Sequence, residues 1–456
     1  MIPEEGREGP VPPRRDLLTA IGAVALVALA IAIGTYVERE YGTLHVNWPP
    51  LYAKWSPHVG PGTPAALAVA AMLIVYGPAL ASRLPWRLLV LGSWAASMAW
   101  IWSLALVDGW RRGIAERLTT KYEYLQVIDR FDDIPAALRD FTQHILIDSP
   151  GHWPAHTAGH PPAATLTFVV LDRIGLGGGA WAGVWCITLG ATVAAAVLVS
   201  VRALADEAIA RRAAPFLVLA PAAVWTGTSA DGYFAAVAAW TTALLALAAT
   251  RTVRFPAAAA LGAGLLFGLL CYLSYGLTLF AVVAGAVLLL ARNARPIPFL
   301  LAGAVVVPLV FTLAGFDWWE AYRILVERYH QGAGGIRPYG YWVWANLACT
   351  VLVVGLASVA GLGRAVTSAP GAVRRLRTGR DAPVDRLVLL VLVVLLVLAA
   401  ADLSGMSKAE TERIWLPFAA WLLAATALLP PRTQRCWLTA QAALALLLNH
   451  LLHTGW

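Results

Sequence analysis

The feature that most constrains this chain is a recurrence of apolar runs close to 20 residues long. That is the length an α-helix needs to cross the ~30 Å hydrocarbon core of a bilayer. In lipid every backbone N–H and C=O must be satisfied within the segment itself, which leaves the helix as the form such runs take. Thirteen candidates can be placed, near 15–36, 64–82, 86–107, 180–201, 213–228, 232–250, 256–273, 275–292, 297–315, 341–363, 387–402, 414–430 and 436–453. The expected fold class is therefore all-α, a polytopic membrane protein of about 13 transmembrane helices forming one integral membrane domain over 1–456. Composition agrees: 59% of the residues are hydrophobic, 13% are charged and the mean hydropathy is +0.68, far from soluble-domain usage. The polar start to about Asp16 leads into an apolar run ending near Tyr36, with no small-residue cleavage site, so it reads as a first span rather than a signal peptide.

Charge orients the chain. With the N-terminus cytoplasmic, and with Pro161–Leu171 (PPAATLTFVVL) too short to cross and taken as re-entrant or interfacial, 20 of the 34 basic residues fall inside, from Arg7, Arg14 and Arg15 to Arg432 and Arg435. Only 8 of the 26 acids join them. The basic stretch 364–386 is then a cytoplasmic loop, the C-terminus lies outside, and the net charge of +8 is a matter of topology, not of nucleic-acid binding. The location that follows is a cell membrane with the chemistry on its extracytoplasmic face. Nothing resembling GxxxxGK[ST], or a GxGxxG after a strand, supplies a nucleotide site. Cys186, Cys271, Cys349 and Cys436 stand singly, without metal or disulfide spacing.

All nine histidines and most acids lie on the outer side under this topology. The largest polar segment, 108–160, opens with VDGW and continues to KYEYL, which makes Asp108 and Glu123 two candidate bases; a boundary marker and a solvated acid are the plainer readings. It ends HWPAHTAGHPP, with His152, His156 and His160 at i, i+4, i+8. Pro154, Gly159 and Pro161 break that helical spacing, so hydrogen bonding to an acceptor or phosphate competes with a divalent metal site. The Gly run at 175–179 reads as a hinge. In TSADGYF, Asp231 stands at the outer mouth of a span that Ser229 or Asp231 can also cap. In SKAETERIWLPF, Lys408, Glu410, Glu412 and Arg413 begin another, an arginine there suiting a lipid-linked phosphate or an ion pair with Glu410 or Glu412. The outer segment 316–340 carries aromatics, Tyr329, His330, Arg337 and a Gly-rich turn, and reads as a mobile loop over an apolar groove. The segment 37–63 reads as a rigid cover with no evident chemistry.

A long outer loop opening with an acid, closing in GHPPAATL and followed by the SxD of TSADGYF resembles the GT-C membrane glycosyltransferases. In style it is similar to the protein O-mannosyltransferases, the aminoarabinose transferases and the actinobacterial cell-wall glycosyltransferases. The resemblance covers about residues 86–250 and, more loosely, ERIWLPF; it departs in two extra spans before the loop and in Gly109 after Asp108, where the family has a second acid. It implies an inverting transferase of cell-wall biosynthesis that takes a pentose or mannose type of sugar from a polyprenyl-phosphate donor to a hydroxyl of a glycan, lipid or protein acceptor. Asp108 or Glu123 is then the base, Arg413, Arg337 and Lys408 hold the donor phosphate, and Asp231, His156, His160, Trp153, Tyr329 and His330 contact sugar or acceptor. No cofactor is implied with certainty, and the need for a divalent metal ion is left open. A transporter or flippase of a lipid-linked sugar would use the same groove without a base, and predicts an internal symmetry that the sequence does not show.

Overall fold

The computed structural model describes residues 13–455; Arg7, expected inside, lies outside them. Eight helices among the described residues are long and apolar enough to cross a membrane: α1 (Arg14–Tyr41), α2 (Thr63–Arg83), α3 (Trp86–Asp108), α4 (Gly178–Leu204), α5 (Ala230–Thr250), α6 (Pro256–Leu273), α7 (Tyr339–Arg377) and α8 (Pro383–Leu403). A ninth crossing is available if Ile297–Leu313 and Trp318–Gln331, bent by 78° at their junction, count as one. The thirteen expected spans are therefore not all regular helices. The run at 213–228 is broken into Glu207–Val218, with Pro215 inside, and the single turn Ala223–Thr226. The runs at 275–292 and 414–430 begin or end in tight 3-10 turns, leaving Tyr275–Ala291 and Leu416–Leu428 short. The last run is one helix, Gln434–Leu451, diluted by Gln434, Arg435, Gln441 and Asn449. Apolar content was read correctly in each case; proline and polar residues set the breaks.

Burial separates centre from rim. In α5, 83% of the apolar window is buried, against 22% in α1 and in α2, so α5 is enclosed by neighbours while α1 and α2 present leucines outward. The expected 364–386 loop is mostly helix, since α7 continues to Arg377 before a short turn leads into α8. At 39 residues α7 is longer than a ~30 Å core requires. Its basic end is tied to the start of α1 by Arg364 and Asp16, 2.8 Å apart with Asp16 buried. Arg292 and Arg386 both reach Asp381, at 2.6 and 2.7 Å, and Arg211 donates to the Ala81 and Leu84 carbonyls. The basic residues assigned to one face thus gather at one end of the bundle.

The opposite end carries the long loop 109–162, a chain of short turns ending in Ala155–Gly159 and the eleven-residue helix Ala163–Arg173. A two-stranded antiparallel ribbon closes it: β1 (Ala53–Trp55) pairs β2 (Leu452–Thr454), with Lys54 opposite His453. The loop before α2 approaches the end of α3 so closely that a Cβ at Gly60 would lie 1.8 Å from the Val107 carbonyl oxygen, which only glycine allows.

Gly355 divides α7 with φ 78° and ψ 165°, a region reserved for glycine, and a Cβ there would press on the Gln441 amide. Gly355→Ala is expected to destabilise the protein by about 2 kcal/mol, read as a lowered thermal midpoint of tryptophan fluorescence in detergent. An unchanged midpoint contradicts this account of the kink.

Candidate active site

Four segments separated in sequence meet at the closed end of the bundle. Glu123 precedes the turn Tyr124–Phe131, and its carboxylate is buried. His156 stands on Ala155–Gly159, its backbone N–H donating to the Tyr122 carbonyl at 3.0 Å, which fixes the two stretches of the loop to one another. Asp231 lies in the first turn of α5, where Ser229 caps the helix and also donates to the Asp231 carboxylate at 3.0 Å. The capping role expected of this pair is visible in Ser229. Arg413 sits on the single turn Thr411–Ile414, preceded by Ala409 and Glu410 in left-handed conformation.

Their polar atoms form a continuous chain. Arg413 donates through Nη1 to Asp231 at 2.7 Å and through Nη2 to Glu410 at 2.9 Å. Arg413 Nη2 is also 3.0 Å from His156 Nε2, and His156 Nδ1 is 2.9 Å from Glu123 Oε2. A guanidinium can only donate, so Nε2 accepts and the imidazole carries its proton on Nδ1, the ring nitrogen that lies beside Glu123. The arrangement assigns a neutral His156 held between a cation and a carboxylate. Arg337 touches the far oxygen of Glu410 at 3.4 Å and donates to the Leu44 and Lys408 carbonyls at 3.0 and 2.8 Å. Glu410 is therefore an internal anion between two guanidiniums. Burial pushes its carboxyl up, but Arg413 and Arg337 outweigh burial and hold it below the usual range.

Tyr124 Oη lies 3.0 Å from His160 Nδ1, on the flank of the chain. Burial pulls His160 down to about 4, so it is neutral at physiological pH. The space enclosed by Glu123, His156, Asp231, Arg413, Ser229 and Arg117 holds about 10 Å³, room for one water at most. The centre is assembled and closed. A larger cavity, about 490 Å³ and lined by Tyr272, Phe316 and Trp318 among others, opens beside the bent helix pair.

Of the residues expected at a site, Glu123, His156, Asp231 and Arg413 meet directly, and Glu410 joins them. Lys408 donates to the Gly334 carbonyl at 2.9 Å, and its own carbonyl accepts from Arg337 at 2.8 Å. Tyr329 donates to the Gly405 carbonyl at 3.3 Å, packing the 316–340 segment on that loop, while His330 is exposed and apart from the chain. Trp153 is 2% exposed, donates to the Phe141 carbonyl, and has its faces covered by Arg130, Phe131 and Phe141, so it is a core residue and presents no face to a sugar. His152 is exposed, and the three histidines of HWPAHTAGH form no metal-holding group. Pro154 before and His160 after the five-residue helix are extended, which destroys the i, i+4, i+8 alignment.

Asp108 lies elsewhere, at the end of α3, within 3.1 Å of His58, 3.4 Å of His453, 2.9 Å of Arg117 and 3.6 Å of Arg112. Sequence reasoning missed His58, in the supposedly inert cover 37–63, as well as His453 and Arg117. No motif marks any of them, and the ribbon and the approach of the loop before α2 bring His453 and His58 to Asp108.

No family model matches the chain, and no curated protein matches it. Two solved structures of the Archaeoglobus fulgidus oligosaccharyltransferase are similar to it, both with a TM-score of 0.37. One, in complex with Zn and sulfate, is 15% identical over 72% of this chain and 49% of its own. The other, tethered through a disulfide to an acceptor peptide containing the NVT sequon, is 14% identical over 89% and 49%. The chain spans about half the length of these proteins, and at such a TM-score the likeness carries no argument about fold or chemistry.

Glu412, the neighbour of Arg413, is fully buried and accepts the Tyr52 N–H at 3.0 Å. Burial raises its carboxyl to about 7. The folded state therefore holds this proton more tightly than the unfolded chain, and the stability it contributes is complete below the unfolded value near 4.5 and lost as pH rises through about 7. Denaturation midpoints followed from pH 5 to pH 8 are expected to fall for the wild type by up to about 3 kcal/mol more than for Glu412→Gln. Parallel curves for the two proteins would contradict the assignment.

Proposed function

We propose that this protein is a membrane glycosyltransferase that moves a sugar of the pentose or mannose type from a polyprenyl-phosphate donor to a hydroxyl of an envelope glycan, lipid or protein on the outer face of the cell membrane. The observation that carries this reading is the buried chain Glu123–His156–Arg413–Asp231, which joins an oriented carboxylate to a fixed cation. Those are the two elements that displacement of a phosphate by a hydroxyl requires. The acceptor oxygen attacks the anomeric carbon, the bond from that carbon to the phosphate oxygen breaks with its electrons leaving on the phosphate, and the hydroxyl proton passes to the carboxylate.

Glu123 is the better base of the two candidates. It is buried, its Oε2 lies 2.9 Å from His156 Nδ1, and it borders the enclosed space; Asp108 instead faces two imidazoles and two guanidiniums. Glu410 supports the phosphate site by occupying it: a carboxylate lying between Arg413 and Arg337 marks where a phosphate finds two guanidiniums. Donor entry exchanges Glu410 for the phosphate and opens the closed centre, and the left-handed Ala409 and Glu410 form the segment that moves. The 490 Å³ cavity, mostly apolar and beside a bent helix pair, is suited to part of the lipid.

Transfer of radiolabelled sugar from a panel of polyprenyl-phosphate donors, measured in membranes with donor binding alongside, tests this. Glu123→Gln is expected to lose about 10²- to 10⁴-fold in transfer, the usual contribution of a general base, while donor binding changes by less than about threefold. Loss in Asp108→Asn with Glu123→Gln still active returns the base to Asp108. Wild-type protein that binds or translocates donors without transferring to any of a broad acceptor set is a transporter.

A further inference from the structure

His58, Asp108 and His453 come from three separate parts of the chain: the loop before α2, the end of α3, and β2. Their ligand atoms lie within 4.8 Å of one another. The two imidazole rings are 4.2 Å apart at the centroids and both turn Nε2 toward the same carboxylate oxygen, at 3.1 Å for His58 and 3.4 Å for His453.

The protonation pattern identifies what belongs between them. His58 Nδ1 is 2.7 Å from the Ser56 carbonyl oxygen, which can only accept, so Nδ1 carries the proton and the Nε2 lone pair points at Asp108. Nε2 and Oδ1 are both buried atoms with no hydrogen-bond partner among the described residues. With His58 neutral, two lone pairs 3.1 Å apart repel unless a cation, a proton or a metal ion, lies between them. Bonds of about 2.0–2.1 Å around a tetrahedral ion place neighbouring ligand atoms about 3.3 Å apart, and the two measured separations bracket that edge. The ligands are also oriented from behind, as metal ligands commonly are: Ser56 holds His58, and Arg117 donates to the other oxygen of Asp108 at 2.9 Å. Arg112, the remaining cation near Oδ1 at 3.6 Å, is about half exposed and has solvent to turn into.

We propose that His58, Asp108 and His453 bind a divalent transition-metal ion of the zinc type. Two imidazoles and one carboxylate suit such an ion better than magnesium or calcium, which prefer oxygen, and three protein ligands leave one position for water or another oxygen donor. The ion fastens the C-terminal strand to the end of α3. Through Asp108 it also sets the position of Arg117, which borders the closed cavity of the candidate active site. This inference is independent of the transferase reading, because the site is complete without any of Glu123, His156, Asp231 or Arg413.

The test uses full-length protein purified in detergent, stripped with a chelator and titrated with Zn²⁺ by calorimetry and with Co²⁺ by visible absorption. The expected result is one ion per chain, with cobalt bands of low-coordinate intensity. His58→Ala and His453→Ala are each expected to weaken binding by about 100-fold or more, beyond the change usual for a supporting residue, whereas His152→Ala, at an exposed outer histidine, leaves it unchanged. Thermal midpoints of the metal-free proteins serve as the folding control, and added Zn²⁺ raises the midpoint of the wild type and of His152→Ala but not of His58→Ala or His453→Ala. Wild-type protein that takes up no ion at micromolar concentration overturns the proposal. So does a cobalt spectrum that survives both histidine substitutions.

Discussion

The buried guanidinium of Arg413 is the interaction on which the outer half of this protein depends. Taking such a charge out of water costs several kcal/mol, and the cost is met only by close carboxylates and well-aligned acceptors. Asp231 and Glu410 supply the charge, and His156 supplies the acceptor. Because these partners belong to α5, to the loop before α8's successor helix and to the long outer loop, satisfying one cation fixes three otherwise independent segments. Glu123 is then placed by His156, and the tautomer of His156 is set by Arg413. The geometry of the carboxylate is a consequence of where the cation is buried.

The same electrostatics explains why the centre is closed. With Glu410 between Arg413 and Arg337, both guanidiniums are neutralised from within the protein, and the remaining space holds no more than a water. An enzyme whose donor arrives from the lipid phase gains from this, since a charged pocket open to hydrocarbon would be costly without its ligand. The exchange of one anion for another keeps both guanidiniums paired throughout. Asp108, a short distance along the same end, is organised on a different plan, with imidazoles rather than a guanidinium as its chief partners.

The membrane class, the long outer loop and the acids at the mouths of spans were legible in the sequence, because hydrophobicity over 20 residues is a local property. Where Pro215 or the 3-10 turn Leu423–Leu428 interrupts a run, composition still counts a crossing that the backbone does not complete. Asp231 and Arg413 could each be singled out from their apolar flanks, but their pairing spans 182 residues and has no sequence signature. The spacing of His152, His156 and His160 suggested a common helical face, and the prolines that undo it were equally visible. Trp153 illustrates the limit of reading aromatics as carbohydrate platforms: it supplies core packing under Arg130. His58 and His453 were beyond reach, since only tertiary approach through Gly60 and the β1–β2 ribbon gives them a shared partner.

The central claim is that Arg413 and Glu123 form the reacting centre for a lipid-phosphate sugar. The most direct measurement is a structure of the full-length protein in a lipid nanodisc with a non-transferable phosphonate analogue of a polyprenyl-phosphate sugar. The account predicts the phosphonate against Arg413 and Arg337, with Glu410 displaced and the anomeric carbon facing Glu123. A phosphonate bound away from both guanidiniums, or a sugar that leaves Glu410 in place and lies beyond reach of Glu123, would contradict it.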